Sequence, residues 1–143
     1  MNEYVIAPEL AEEELKKMED EFGAVSTMDR RAVLLDAIKR GLVDFNPEIP
    51  AITYHLQKPV MMDKGEKLEK ITLHEPCFAE IERIDKGTEY KVDEKGGFIF
   101  SKSIDHNNFA RLLVVLGGIT TGTVDKLMRG DVAVLQAISD FFK

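Results

Sequence analysis

The stretch with the most chemical promise is VVLGGITTGTVDK (114–126), where an apolar run leads into Gly117, four further residues and Gly122. A phosphate-binding loop begins this way: its glycines let backbone N–H groups cradle phosphate, and a lysine and a hydroxyl side chain must follow. Thr123 and Val124 occupy those two places, and Lys126 comes too late to reach a β- or γ-phosphate. The run reads better as a helix, since Phe109, Leu112, Leu113 and Leu116 share a face and glycines close helix C-termini. The histidines offer no more. His55, His74 and His106 stand at no metal-ligand spacing, and one cysteine cannot complete a site. His74 adjoins Glu75 and His106 adjoins Asp105, yet the sequence positions no nucleophile or partner carboxylate for acid–base work. Cys77 lies three residues from His74 across a corner, where a helix start could activate its thiol. The competing account makes Cys77 a small buried residue. Glu75, Glu80 and Glu82 read as a solvated face. No catalytic, cofactor-binding or metal residue is assigned, and the expectation is a protein that is not an enzyme and needs no cofactor.

The elements around these residues follow from periodicity. Ile71 and Leu73 alternate with Lys70, Thr72 and His74 as in a half-buried strand, and Pro76 turns that strand into a helix over 76–85. Cys77, Phe78, Ile81 and Ile84 share one side of that helix, which is expected to face the core. Ile52, Tyr54 and Leu56 alternate in the same way, and a polar turn at 63–66 makes 51–61 and 67–74 an antiparallel hairpin. Pro59 places the first of these strands at a sheet edge or marks its end. Residues 1–7 read as a tail or edge strand. Pro8 then opens a helix with a stripe of Ala11, Leu15, Met18 and Phe22, stopped by Gly23. Its outer face allows Glu12/Lys16 and Glu13/Lys17 pairs. Ser26 or Thr27 caps a second helix with Leu34, Leu35 and Ile38 as its stripe, ending at Gly41. A small hairpin joins Tyr90 and Val92 to Phe98 and Phe100 across a turn at 93–97. Asp105 or Ser103 caps the helix containing FARLLVVL (109–116); a short helix over 120–127 and a last one over 129–142 follow.

The expected fold is therefore α+β: an N-terminal helical hairpin, antiparallel β-hairpins and a C-terminal bundle of three or more helices. A chain of 143 residues suits one domain. Its net charge of −7, from 26 acidic and 19 basic residues, argues against nucleic acid, whose binding needs clustered Lys and Arg. No apolar run has membrane-spanning length and no signal-peptide pattern opens the chain, so a membrane partner is not expected and the expected location is the cytoplasm. Protein contacts remain. Met61 and Met62 precede a turn, either packed beneath the hairpin or exposed as an adaptable binding surface. Phe141 and Phe142 are adjacent at a helix end, where neighbours point about 100° apart, so one ring in the core leaves the other facing solvent. The alternative folds both rings back onto the hairpin. Phe141, Phe142, Met61 and Met62 are the expected partner-binding residues.

Several of these features recur together: ITLHEP (71–76) leading from strand to helix, Leu127 and Asp131 flanking the last helix start, and a closing Phe141-Phe142. With them, residues 52–142 resemble the small tail assembly chaperones of contractile-tailed phages and prophages, whose pattern matches here at Ile71, Thr72, Leu73, Pro76, Leu127, Asp131, Phe141 and Phe142. Against that pattern, 1–45 is a helical N-terminal extension and 86–102 a hairpin insert, with 51–143 as the shared core. Met128 stands where Ser or Thr would make a capping box with Asp131. The resemblance implies a chaperone that binds the tape measure protein, keeps it soluble and helps load tail tube protein. It also implies work in the host bacterial cytoplasm and absence from the mature virion. The alternative is a structural or adaptor component retained in the virion. The sequence leaves open whether the chain is a homo-oligomer.

Overall fold

In the computed structural model, which describes residues 4–23, 28–62, 65–85, 91–92, 98–99 and 102–142, the fold is α+β. Helices α1 (Pro8–Phe22) and α2 (Met28–Lys39) lead into β1 (Val43–Asn46), β2 (Ala51–Met61) and β3 (Lys67–His74). Then come α3 (Phe78–Asp85), the ribbon β4 (Lys91–Val92) and β5 (Phe98–Ile99), α4 (Lys102–Gly117), α5 (Thr121–Asp125) and α6 (Arg129–Ser139). A single 3-10 turn, Asp140–Phe142, follows α6.

The first two helices form as their sequences require. Pro8 sits in the first turn of α1, where its missing N–H costs nothing, and Gly23 ends the helix in the left-handed region at φ 63°. Ala11, Leu15 and Met18 are fully buried. Among the described residues neither i,i+4 pair forms on the outer face of α1. Glu12 and Glu19 instead grip Arg31 of α2 at 2.6 Å each, so charge ties the two helices together rather than bracing one. The expected caps Ser26 and Thr27 lie outside the described residues.

After Gly41 the chain enters β1, a strand absent from the elements expected of the sequence. β1 pairs antiparallel with β2, and β2 with β3, giving the order β1-β2-β3. Of the two readings of Pro59, a sheet edge or a strand end, the edge is corrected: β2 is central, and it runs two residues past Pro59 to Met61. Proline survives there because the ladder is broken around it. His55 pairs with Lys70 and Val60 with Leu68, so Leu56, Gln57, Lys58 and Pro59 together face only Glu69. The ribbon pairs Lys91 with Ile99 and Val92 with Phe98; its turn at 93–97, Tyr90 and Phe100 lie outside the described residues.

Helices cover one sheet face. There Ile52, Tyr54, Ile71 and Leu73 are buried, while Thr53, His55, Lys70 and Thr72 look the other way. α6 lies on β2 and α2, α4 lies on β3, and α3 leans on α4. α4 approaches β3 so closely at Gly117 that a Cβ there would sit 3.1 Å from the Ile71 Cγ2. α4 starts before its expected caps, so Ser103 and Asp105 both fall inside it. Residues of α1, α2, the sheet, α4 and α6 join one buried cluster. Leu113, fully buried in it, should cost about 2–5 kcal/mol on replacement by Ala, read as a lower urea midpoint at unchanged slope.

Candidate functional site

The polar centre of the fold is a carboxylate. Asp131, 1% exposed, lies in the first turn of α6, whose N-cap Met128 supplies no side-chain hydrogen bond. The carboxylate does not turn back on its own helix end in place of a cap. Its Oδ1 accepts from the Tyr54 hydroxyl at 2.6 Å and from the Gln57 amide at 2.9 Å, and its Oδ2 accepts from the Lys58 amide at 3.1 Å. Those amides belong to the irregular part of β2, where regular pairing stops. Burial, followed by the hydrogen bond to Asp131, pushes the Tyr54 hydroxyl well above its ordinary value of 10.0. With three donors consumed by structure and the group enclosed, this cluster is an internal brace with no free atom for a substrate.

The expected binding residues divide. Phe141 and Phe142 are both buried at 6% exposure, which corrects the expectation of an outward ring. Phe22 of α1 packs against both, its ring 5.7 Å from Phe141 and 4.9 Å from Phe142, and also meets Phe45 of β1 at 5.8 Å. Met61 is exposed and Met62 half-buried. The Met61 carbonyl accepts from the Lys126 ammonium at 3.2 Å, which brings the end of β2 beside the α5–α6 link carrying exposed Met128. The four residues thus form no single site.

The corner between β3 and α3 holds the other group that sequence chemistry singled out. His74 Nε2 lies 3.3 Å from Glu80 Oε2, and Glu80 Oε1 accepts from the Cys77 amide at 3.1 Å. Glu80 is thus the third residue of a capping arrangement on Cys77, and that bond leads the causes holding its carboxyl below the usual range. Cys77 is exposed, not buried. The polar pairs here fix the helix start; His55, likewise, pairs with Asp44 at 2.8 Å on the open sheet face. Among the described residues no three His, Cys, Asp or Glu side chains converge as metal ligands.

The apolar side of α3 is the main departure from the sequence reading. Only Ile84 reaches the core; Phe78 is 76% and Ile81 42% exposed. At the glycine-rich run, Gly117 closes α4 and Gly118 adopts φ 67°, while Thr120 caps α5 by accepting from the Thr123 amide at 3.2 Å. Thr123 is buried with its hydroxyl 2.9 Å from that of Thr120, so the segment is a helix link. Among the described residues no helix is long and apolar enough to cross a membrane. Comparison with protein-family models, with curated proteins and with solved structures gives no match.

The Asp131 brace makes two predictions. Asp131→Ala strands two amides and a hydroxyl in the interior and should cost about 3–5 kcal/mol in urea unfolding, against about 1.5–3 kcal/mol for Tyr54→Phe. The raised Tyr54 value adds a pH signature. Tyr54 holds its proton more tightly folded than unfolded, so its contribution is whole below about pH 10 and declines as pH rises beyond it. Between about pH 8 and about pH 11 the wild type should therefore lose more stability than Tyr54→Phe.

Proposed function

We propose that the chain is a phage tail assembly chaperone, which holds the tape measure protein soluble, helps load tail tube subunits along it in the host cytoplasm, and is absent from the finished particle. The observation that carries the reading is the uncovered apolar stripe of α3, with Phe78 76% and Ile81 42% exposed on a protein whose net charge is −7. A holdase needs apolar surface that a client helix can cover and leave, on a body whose charge keeps it dissolved. The tail-chaperone pattern supports the reading too. Ile71, Thr72 and Leu73 lie in β3, Pro76 makes the corner into α3, and Asp131 opens α6. Exposed Met61 and Met128, side by side at the end of β2 and the α5–α6 link, offer a second adaptable apolar surface of the kind a varied client requires.

The reading expects a tape measure protein to be encoded beside this chain, and the test is co-expression with it. The wild-type chain should bring that protein into the soluble fraction and co-purify with it. Phe78→Ser combined with Ile81→Ser should leave the melting temperature unchanged, because neither side chain is buried, and lower the recovered tape measure protein about tenfold. A tape measure protein equally insoluble with and without the chain rejects the reading. Stoichiometric amounts of the chain in purified particles would instead make it a retained structural or adaptor component.

A further inference from the structure

We propose that β1 takes up an extended, lysine- or arginine-bearing segment of a partner protein as a fourth strand of the sheet. This docking does not depend on the tail assembly reading. A cleft of about 390 Å³ runs between α1 and β1 and is lined on one side by Val43, Asp44 and Phe45. Successive residues of a strand point to opposite faces, so a cleft that touches three in a row must follow the edge of the strand.

The hydrogen-bond phase shows what that edge presents. The Leu42 carbonyl accepts from the His55 amide at 2.7 Å, which makes 42 and 55 a hydrogen-bonded pair. In the observed register 44/53 and 46/51 are then bonded pairs too, and 43/54 and 45/52 are not. Val43 and Phe45 therefore aim their N–H and C=O groups away from β2, into the cleft. Among the described residues no hydrogen bond to those groups is formed outside the β1–β2 ladder. The opposite edge of the sheet is guarded differently: β3 carries exposed Lys67 and Lys70, the usual deterrent to strand addition, whereas β1 has neither Lys nor Pro.

The walls select the occupant. α1 presents Leu10, Glu13, Glu14 and Lys17 to the cleft, spaced i, i+3, i+4 and i+7 on one stripe. Leu10 is 57% exposed and Phe45 half-buried, which gives apolar contacts for alternate side chains of an entering strand. Two glutamates outnumber the one lysine, and among the described residues Glu13 and Glu14 enter no ion pair, while the Asp44 carboxylate is taken by His55 on the other sheet face. β1 is about 13 Å long, enough for a four-residue strand of apolar residues alternating with Lys or Arg.

The probe is an acetylated, fluorescein-labelled peptide of alternating lysine and valine, followed by anisotropy and by amide exchange measured with NMR. It should bind the wild-type chain, and the Val43 and Phe45 amides should exchange at least about tenfold more slowly in its presence, while Asp44 and Asn46, already in the ladder, change little. Glu13→Lys combined with Glu14→Lys leaves α1's buried stripe intact and should weaken binding about tenfold, as should a peptide with glutamate in place of lysine. Absence of binding, or binding with Val43 and Phe45 exchange unchanged, overturns the proposal. So does equal affinity for the lysine and glutamate peptides.

Discussion

The fold depends on one carboxylate being worth its burial. Removing Asp131 from water is unfavourable unless donors replace the lost hydration, and three do: a phenol and two main-chain amides. The first turn of α6 adds the positive end of the helix dipole, which favours a negative charge there. The two sides of this contact need each other. The irregular run 56–59 of β2 lacks regular strand partners for its amides, and α6 lacks a capping side chain at Met128. Asp131 satisfies the first deficit and fixes where α6 lies on the sheet, and Tyr54, fully buried beneath, holds the carboxylate in its orientation.

A second joint closes the structure from the other end. Phe22 ends the buried side of α1 and meets Phe45, Phe141 and Phe142, so one ring links α1, the edge strand and the last turn of the chain. Arg30 of α2 reinforces it by donating to the Gln136 carbonyl at 2.8 Å and pairing with Asp140 at 2.9 Å. The N-terminal helices thereby share the core of the sheet and C-terminal helices rather than sitting beside it.

Elements with a long, one-sided pattern were legible in the sequence: α1, the β2–β3 hairpin, the apolar half of α4, and α6. What escaped was non-local. β1 has only four residues, and a strand that short is defined by its pairing with β2 rather than by its own composition. The edge or strand end read from Pro59 followed the rule that proline cannot donate to a ladder. The bulge suspends that rule by taking the ladder away, and nothing within the strand announces it. The outward Phe assumed a lone helix end, but Phe22, more than a hundred residues earlier, covers both rings. Asp131 stood out only as part of a family pattern. The physical clues were an acidic residue in a helix start without a capping side chain and a proline inside a strand; either alone is common.

The stripe of α3 shows where amphipathicity stops being informative. A periodic apolar face says which side of a helix would enter a core, and not whether a core is there to receive it. α3 is placed by its packing on α4 and by polar contacts at its start: Glu80 caps the Cys77 amide and meets His74, and Pro76 stiffens the turn out of β3. Ile84 anchors the far end. With both ends held this way, the middle of the helix needs no burial of Phe78 or Ile81 to keep its position. Exposure of those two side chains is then compatible with an ordered helix, and an ordered helix is what gives an apolar surface a fixed shape for another protein to recognise.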